Sequence, residues 1–333
     1  MKTMNVSIIG FGVVGQGVAR AIQRSNDYFK KNGVDLKVVA IVDLWGSLID
    51  ESGLDLKNVL IQAKQKKLKG ENRNSLEVIC EVDHDCVVEV TPSNIKTGGV
   101  GLEHMIKALE NKRHLVTSNK GPLALEYKKL VDLAKKNDVE FKYEATVGGA
   151  MPIINFAKNC LAGNEILSIR GIFNGTCNYI LTRMAEDGLP YDNVITEAQE
   201  LGLAETDPTY DVDGIDTAAK LVILANSIFD MDAVYNDASV TGIRDITVES
   251  LKLAHGEGYV VKLIGEVKEG VLEVAPRLVP KGHPLALGGT LNAASIQTDL
   301  AGEITVTGKG AGSIEAASAI ISDLAEISKK TDL

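Results

Sequence analysis

The stretch at residues 6–15, VSIIGFGVVG, decides the fold of this chain. A short β-branched run stops at Gly10, and residues 13–31 have the alanine and charge content of a helix. In the pattern G-x-G-x-x-G, Gly10 permits a tight turn, Gly12 lets a pyrophosphate approach the backbone, and Gly15 lets helix and strand pack closely. This order of strand, glycine turn and helix predicts dinucleotide binding. The candidate cofactor-binding residues are Gly10, Phe11, Gly12, Val13, Val14 and Gly15.

Strands and helices alternate through the first part of the chain. Buried-strand runs recur at residues 36–42, 86–90 and 114–117, with helical stretches such as 102–111 between them. Such alternation implies right-handed crossovers and a parallel sheet. We therefore predict an α/β protein in which residues 1–138 form a doubly wound parallel (Rossmann) dinucleotide-binding domain.

The pattern changes after about residue 138. A strand at residues 139–144 is followed mainly by helices up to about residue 256. From Tyr259 onward, two strands surround a Glu-Gly turn and further strands follow. This pattern predicts a second domain, of α+β type with a mixed sheet, over residues 139–307.

Composition excludes several classes of protein. The 333 residues carry 35 basic and 45 acidic side chains, a net charge of -10, which would repel nucleic acid or an anionic membrane. The four cysteines form no C-x-x-C pair, as is typical of a reducing cytosol. No apolar run approaches the ~20 residues of a membrane span, and the N-terminal one is too short for a signal peptide. We expect a cytoplasmic protein that binds neither nucleic acid nor membranes.

Several residues close the predicted strands at the edge of the sheet where ligands bind. Asp43 ends the second strand, where a carboxylate takes the ribose hydroxyls of adenosine and repels a 2′-phosphate, so NAD is favoured over NADP. Its spacing from Gly10, 33 residues, exceeds the usual ~20, and a solvated aspartate opening a turn is the alternative. Thr91 and Pro92 close the third strand and Lys120 follows the fourth, which predicts contacts near a nicotinamide ring.

Asp216 and Lys220 are the strongest candidates for chemistry. They lie four residues apart in residues 215–228, IDTAAKLVILANSI, which are apolar on nearly every face and therefore predict a buried helix. On an exposed helix the pair would be a routine salt bridge worth ~0.3–0.5 kcal/mol. A buried lysine is costly unless it is paired or lines a cavity, so a functional role is favoured. Such a lysine can exchange a proton with a substrate hydroxyl.

Two glycine-bearing turns are further candidates. Residues 174–178, NGTCN, open a helix and offer N–H groups and a hydroxyl to a small anion, with an ordinary helix cap as the alternative. Cys177 has no histidine near it in sequence, which argues against thiol catalysis. Residues 144–151, EATVGGAM, offer carbonyl oxygens and one carboxylate to a hard cation, with a tight turn as the alternative.

The chain resembles the homoserine dehydrogenase family in six ordered motifs. These are GFGVVGQG at 10–17, EVTPSN at 89–94, TSNKGPLA at 117–124, EATVGGAMPI at 144–153, FNGTCNYI at 173–180 and ETDPTYDVDGIDTAAK at 205–220. The resemblance implies NAD(P)-dependent interconversion of L-homoserine and L-aspartate 4-semialdehyde, on the route to threonine, methionine and isoleucine. It also implies the short, monofunctional form and a homodimer that pairs through the sheet of the second domain. Residues 308–333 are expected to return to the nucleotide-binding domain.

The resemblance also implies roles for individual residues. Lys220 matches the family's likelier proton carrier, and Lys120 matches an assisting lysine. The other matches are Glu205, Asp211 and Asp216 for holding the substrate amino group or ordering the site, Gly175 and Thr176 for the substrate loop, and Ser118 and Gly310 for the cofactor. A monovalent cation, Na⁺ or K⁺, is expected at Glu144, Val147, Gly149 and Met151.

Two alternatives stay open at this point. One is another semialdehyde or hydroxy-acid oxidoreductase on the same fold. The other is a non-enzymatic NAD(P) sensor, because a fold does not dictate a function.

Overall fold

The computed structural model describes residues 1–70 and 72–330, and it divides into two compact units. Unit 1 comprises Met1–Ala150 and the C-terminal segment that begins at Gly312, and unit 2 comprises Met151–Ala311. Within the described ranges, no helix has the length and apolar character needed to cross a membrane.

The N-terminal part of unit 1 alternates strands and helices. Its elements are β1 (Lys2–Ile9), α1 (Val13–Lys31), β2 (Val34–Asp43), β3 (Gly46–Ile49), α2 (Leu56–Lys64), α3 (Ser75–Glu81), β4 (Cys86–Glu89), α4 (Gly99–Glu110), β5 (His114–Thr117), α5 (Lys120–Lys136) and β6 (Phe141–Lys142). A 3₁₀ turn (Glu144–Thr146) follows β6.

The sheet of unit 1 has the order β3-β2-β1-β4-β5-β6, and the prediction of a doubly wound parallel sheet is confirmed. The exception is the short edge strand β3, which pairs antiparallel with β2. The register aligns the last residues of the strands, with Ile9 beside Val42 and Glu89 beside Thr117. The loops after β1, β2, β4 and β5 therefore emerge at one edge, and the strand order reverses at β1, where such sheets bind ligands.

Strand β6 belongs to the first sheet, although the sequence pattern placed residues 139–144 at the start of a second domain. Leu115 and Val116 of β5 pair in parallel with Phe141 and Lys142. The compact unit therefore ends after Ala150 instead of at residue 138. Pairing across a parallel sheet is a long-range contact, and two residues of strand give no periodicity that would reveal it.

Unit 2 is an α+β assembly around a second sheet. Its elements are α6 (Ile153–Asn155), a π-helical turn (Phe156–Cys160), β7 (Ile166–Ile172), α7 (Gly175–Asp187), α8 (Tyr191–Glu200), α9 (Thr209–Val212), α10 (Ile215–Phe229), β8 (Ala238–Val240), α11 (Val248–Gly256), β9 (Tyr259–Lys268), β10 (Val271–Pro280), β11 (Leu291–Thr298) and β12 (Glu303–Lys309).

The second sheet has the order β12-β11-β7-β9-β10-β8. Its strands pair antiparallel except for β8 and β10, which are parallel, so the predicted mixed sheet is confirmed. The hairpin between β9 and β10 turns at Glu269 and Gly270, both with positive φ angles, as the Glu-Gly pattern indicated.

The C-terminal helix α12 (Ser313–Lys330) packs against α1 in unit 1. Ile320 and Leu324 of α12 lie in the same apolar core as Val18 and Ile22 of α1. The chain enters α12 so close to α1 that a side chain at Gly17 would collide with Ser313, whose hydroxyl donates to the carbonyl of Val13 at 2.6 Å. The structure places the boundary before this segment at 311/312, where the sequence interpretation placed it at 307/308.

Candidate active site

The glycine turn between β1 and α1 has the geometry that its motif predicts. Gly10 has a φ of +93°, and a Cβ atom there would lie 2.8 Å from the carbonyl oxygen of Val90. A Cβ atom on Gly15 would collide with the carbonyl oxygen of Gly10. Protein packing thus accounts for these two glycines.

Gly12 has a different reason to be glycine. Among the described residues, a Cβ atom there would meet no atom within 4 Å apart from its chain neighbours, and no side chain caps the helix that begins at Val13. The uncapped N–H groups and the positive end of the α1 dipole face this open space. A dinucleotide pyrophosphate fits this arrangement.

Asp43 lies beside the glycine turn. Its carboxylate accepts hydrogen bonds from the Phe11 N–H at 2.5 Å and the Leu44 N–H at 2.7 Å. The long spacing from Gly10 is absorbed by the 19 residues of α1 and a turn at Gly33, whose φ is +82°. Asp43 is a half-buried carboxylate that ends β2, contacts the glycine turn and opens the turn at Leu44 and Trp45.

The other nucleotide candidates of unit 1 also lie at this edge of the sheet. Thr91 and Pro92 lie two and three residues after the end of β4, Ser118 follows β5, and Lys120 begins α5. Thr91, Ser118 and Lys120 are half-buried, and Pro92 is exposed. Sequence reasoning missed Glu89, which is fully buried beneath them. The available signal was a charged residue within the apolar strand run CVVEV.

In unit 2, the predicted buried pair is present. Asp216 and Lys220 are each 7% exposed on α10, a helix buried along most of its length. Lys220 Nζ donates to Asp216 Oδ2 at 2.7 Å and to the carbonyl of Phe173 at 2.6 Å. The two acceptors orient the amine and offset part of the cost of burying its charge.

Asn174 extends the pair into a chain of polar groups. Its side-chain NH₂ donates to Asp216 Oδ2 at 3.0 Å and to Asp211 Oδ1 at 2.6 Å. Its side-chain oxygen accepts from the Cys177 N–H at 2.8 Å and so caps α7. The helix-cap interpretation is correct, and the same residue joins three segments. Sequence reasoning did not select Asn174 as a site residue, because its partners are about 40 positions away.

The remaining substrate candidates lie around the start of α7. A Cβ atom on Gly175 would lie 2.7 Å from the carbonyl oxygen of Thr290, so close backbone approach requires glycine. The Thr176 hydroxyl donates to the carbonyl of Leu203 at 2.8 Å. The structure does not bring Glu205 into the chain of polar groups, because its side chain is exposed.

Cys177 is buried within this region. Burial raises the pKa of its thiol well above the ordinary value, and the thiol donates to the Asp211 carbonyl at 3.1 Å. The thiolate that nucleophilic catalysis requires is disfavoured.

The turn proposed for a cation is ordered and largely buried. Glu144 is 3% exposed and its N–H donates to Asp323 Oδ2 at 3.1 Å. Val147 and Met151 are buried, and Gly149 has a φ of +57°. Within residues 1–70 and 72–330, no group of three His, Cys, Asp or Glu side chains could hold a metal ion. The ligands of a cation here would therefore be mainly carbonyl oxygens.

Gly310 follows β12 in unit 2. A Cβ atom there would collide with the side-chain amide of Asn292, which is 1% exposed. Gly310 thus permits close approach of two protein segments.

A nucleotide cradle and a buried, oriented lysine define the class of this protein: an NAD(P)-dependent oxidoreductase that acts on a CH–OH group. Residues 10–144 match the family model for the NAD binding domain of homoserine dehydrogenase, and residues 152–325 match the model for homoserine dehydrogenase itself. The chain belongs to the homoserine dehydrogenase family.

Individual relatives agree with this assignment over nearly the whole chain. A homoserine dehydrogenase of Methanocaldococcus jannaschii is 55% identical over 98% of this chain and 99% of its own length. An NAD(+)-dependent homoserine dehydrogenase of Pseudomonas canavaninivorans is 37% identical over 98% of this chain and 97% of its own.

Solved structures of the family have the same fold. The crystal structure of a putative homoserine dehydrogenase from Archaeoglobus fulgidus has a TM-score of 0.92 and 47% identity, covering 97% of this chain and 99% of that one. A hyperthermophilic archaeal homoserine dehydrogenase in complex with NADPH has a TM-score of 0.86 and 31% identity, and the match covers 99% of this chain and 98% of that one.

Proposed function

We propose that this protein interconverts L-homoserine and L-aspartate 4-semialdehyde with Lys220 as the proton carrier and Lys120 as an assisting residue. A bound NAD(P) supplies the hydride acceptor or donor. When homoserine is oxidised, the Lys220 amine accepts the hydroxyl proton. When the semialdehyde is reduced, the Lys220 ammonium gives a proton to the carbonyl oxygen. The observation that carries this proposal is the buried Lys220–Asp216 contact of 2.7 Å.

Asp216 and Asn174 are proposed to keep Lys220 in position. The Asp216 carboxylate compensates the ammonium form, and the Phe173 carbonyl fixes its direction. Asn174 holds Asp216 from the other side at 3.0 Å. A preorganised proton carrier lowers the reorganisation needed in the reaction.

The polar end of the amino-acid substrate is proposed to bind at the start of α7. The N–H groups at Gly175 and Thr176 suit its carboxylate, because a helix N-terminus favours negative charge. Asp211 and Glu205 are proposed to attract the substrate ammonium. Asp211 already lies 2.6 Å from the Asn174 amide, whereas Glu205 is exposed and would have to turn towards the substrate.

For the coenzyme, we propose a preference for NAD over NADP. The Gly10–Gly15 turn would hold the pyrophosphate of the coenzyme. The nicotinamide side would be held by Thr91, Pro92, Ser118 and Lys120, and Gly310 would be a further contact of the coenzyme. The Asp43 carboxylate supports the preference, since it would repel a 2′-phosphate. Asp43→Asn keeps an acceptor for the Phe11 N–H and removes the charge. It should lower the ratio of kcat/KM for NAD to kcat/KM for NADP by about tenfold. An unchanged ratio would contradict the role of Asp43.

Three further properties are proposed from the family membership. A Na⁺ or K⁺ ion at Glu144, Val147, Gly149 and Met151 would be detected as a dependence of activity on the monovalent cation at constant ionic strength. A homodimer through the second sheet would be detected by light scattering during size-exclusion chromatography. We expect the protein to act in the cytoplasm, in the synthesis of threonine, methionine and isoleucine.

The direct test is to follow the reduced-nicotinamide absorbance with purified protein and L-homoserine, with NAD and NADP in parallel. Reduction of either coenzyme is expected, and 4-hydroxybutanoate, which lacks the amino group, should be a poor substrate. Equal rates with the two substrates would indicate a general hydroxy-acid oxidoreductase. Coenzyme binding without reduction would indicate a sensor.

A further inference from the structure

A charged side chain is buried beneath the nucleotide edge of unit 1. Glu89, the last residue of β4, is 0% exposed. His104 of α4, which is 6% exposed, lies behind it with its Nδ1 atom 3.6 Å from Glu89 Oε1. A buried carboxylate is costly unless other groups compensate it. The proton transfer proposed for Lys220 makes no use of this pair.

Glu89 binds Thr91, the second residue after β4, through two hydrogen bonds. Both the N–H and the hydroxyl of Thr91 donate to Glu89 Oε1. Because one oxygen accepts from both the backbone and the side chain of Thr91, the carboxylate fixes the conformation of that residue as well as its hydroxyl direction.

Glu89 also reaches the end of the neighbouring strand. The Thr117 hydroxyl donates to the Glu89 carbonyl at 2.8 Å and lies 3.4 Å from Glu89 Oε2. The same hydroxyl accepts from the N–H of Asn119 at 2.9 Å. Asn119 is the residue before α5 and precedes Lys120.

The two loops are joined directly as well. The side-chain amide of Asn119 donates to the Thr91 hydroxyl at 3.4 Å. Asn119 is 2% exposed, and a Cβ atom on Gly101 of α4 would collide with its amide nitrogen. A glycine on α4 therefore leaves the room that the network needs.

We propose that Glu89, backed by His104, is a positioning residue that fixes the loops after β4 and β5 against the nicotinamide half of the coenzyme. This inference rests on the proposed function, because it takes Thr91 and Lys120 to lie near the nicotinamide. The glycine turn after β1 holds the other half through its own backbone. Loss of Glu89 should therefore weaken the nicotinamide contacts and spare those of the adenosine diphosphate.

ADP-ribose separates the two halves, because it is NAD without the nicotinamide. Calorimetric titration of Glu89→Ala should show NAD affinity reduced about tenfold and ADP-ribose affinity nearly unchanged. Glu89→Gln keeps an acceptor oxygen for Thr91 and turns an NH₂ group towards the Thr117 hydroxyl, which can accept. This variant should bind NAD within about threefold of the wild-type affinity.

A matched control is Met105→Ala, which empties a fully buried position next to His104 on the same helix. It should lower the melting temperature and leave the ratio of NAD to ADP-ribose affinity unchanged. If Glu89→Ala does not fold, Thr117→Val carries the same test. It removes the bridging hydroxyl with little change in volume and should reduce NAD affinity selectively.

The outcomes separate the two claims. Equal weakening of NAD and ADP-ribose, or no weakening of either, overturns the positioning role of Glu89. Oxidation of homoserine by the wild-type protein is measured independently, and its absence contradicts the proposed function. Selective weakening of NAD, with rescue by Glu89→Gln, supports the inference.

Discussion

Replacing Lys220 by Met separates catalysis from stability at the buried pair. The side chains of Lys220 and Asp216 are 8% and 9% exposed. If one of them is removed, the charge of the other loses its partner and has almost no contact with solvent. Methionine fills most of the volume but gives up the contacts of 2.7 Å with Asp216 and 2.6 Å with the Phe173 carbonyl. Breaking a buried pair in this way costs about 3–5 kcal/mol of unfolding free energy.

The second variant, Asp216→Asn/Lys220→Met, removes both charges. The remaining asparagine can accept from Asn174 and needs no counter-ion. Because replacement of both members of a buried pair is often close to neutral, the double variant should recover most of the stability lost by Lys220→Met. It should recover none of the activity, because the proton carrier is still absent.

Two assays measure these effects. Denaturant unfolding gives the stability of the wild type, the Lys220→Met variant and the double variant. The reduced-nicotinamide absorbance with saturating homoserine gives kcat, which should fall about 10²–10⁴-fold in both variants that lack Lys220. Coenzyme affinity should stay near the wild-type value. A double variant with restored stability and near-wild-type kcat would refute the assignment of Lys220 as proton carrier.

Two further predictions follow from local geometry. Gly12→Ala places its methyl group in open space, so it should change the unfolding free energy by about 0.5 kcal/mol or less and weaken NAD binding about tenfold or more. Gly15→Ala drives a methyl group into the Gly10 carbonyl, so it should lower the free energy of unfolding, measured with denaturant, by about 1–3 kcal/mol. Equal stabilities of the Gly12→Ala and Gly15→Ala variants would contradict this distinction. Burial lowers the pKa of Lys262 to about 8. Between pH 8 and the ordinary lysine pKa of 10.5, the unfolded chain therefore binds more protons than the folded protein. Because of this difference, the free energy of unfolding should rise with pH across that window. Relative to Lys262→Met, the wild type should gain about 3 kcal/mol as the pH rises from below 8 to above 10.5, and parallel pH profiles would count against this.

The sequence was most informative where local patterns carry the physics. The turn after β1 could be predicted because each glycine of the motif has its own geometric reason. The buried pair could be predicted because a helix that is apolar on every face leaves Lys220 no solvent-exposed direction. Both inferences use residues within one or two adjacent elements.

The features that could not be predicted depend on contacts between distant positions. Asn174 becomes the centre of a polar chain only when α7, α9 and α10 are folded together. The role of Glu89 depends on its contact with Thr117, a residue on the neighbouring strand β5. Strand β6 is two residues long, and its membership of the first sheet is decided by its partner β5. Periodicity within a single element contains no information on such pairings.

The packing of α12 on α1 has a consequence for the order in which the chain folds during synthesis. Ile320 and Leu324 are fully buried in the core of unit 1, yet they are synthesised only after the whole of unit 2. At about 5–20 residues per second, the first 150 residues must wait many seconds with one face of α1 uncovered. All of unit 2 is made during this interval. The core of the nucleotide-binding unit is therefore completed only after unit 2 has been made, and a ribosome stalled before residue 313 would carry a protein in which one face of α1 is still uncovered.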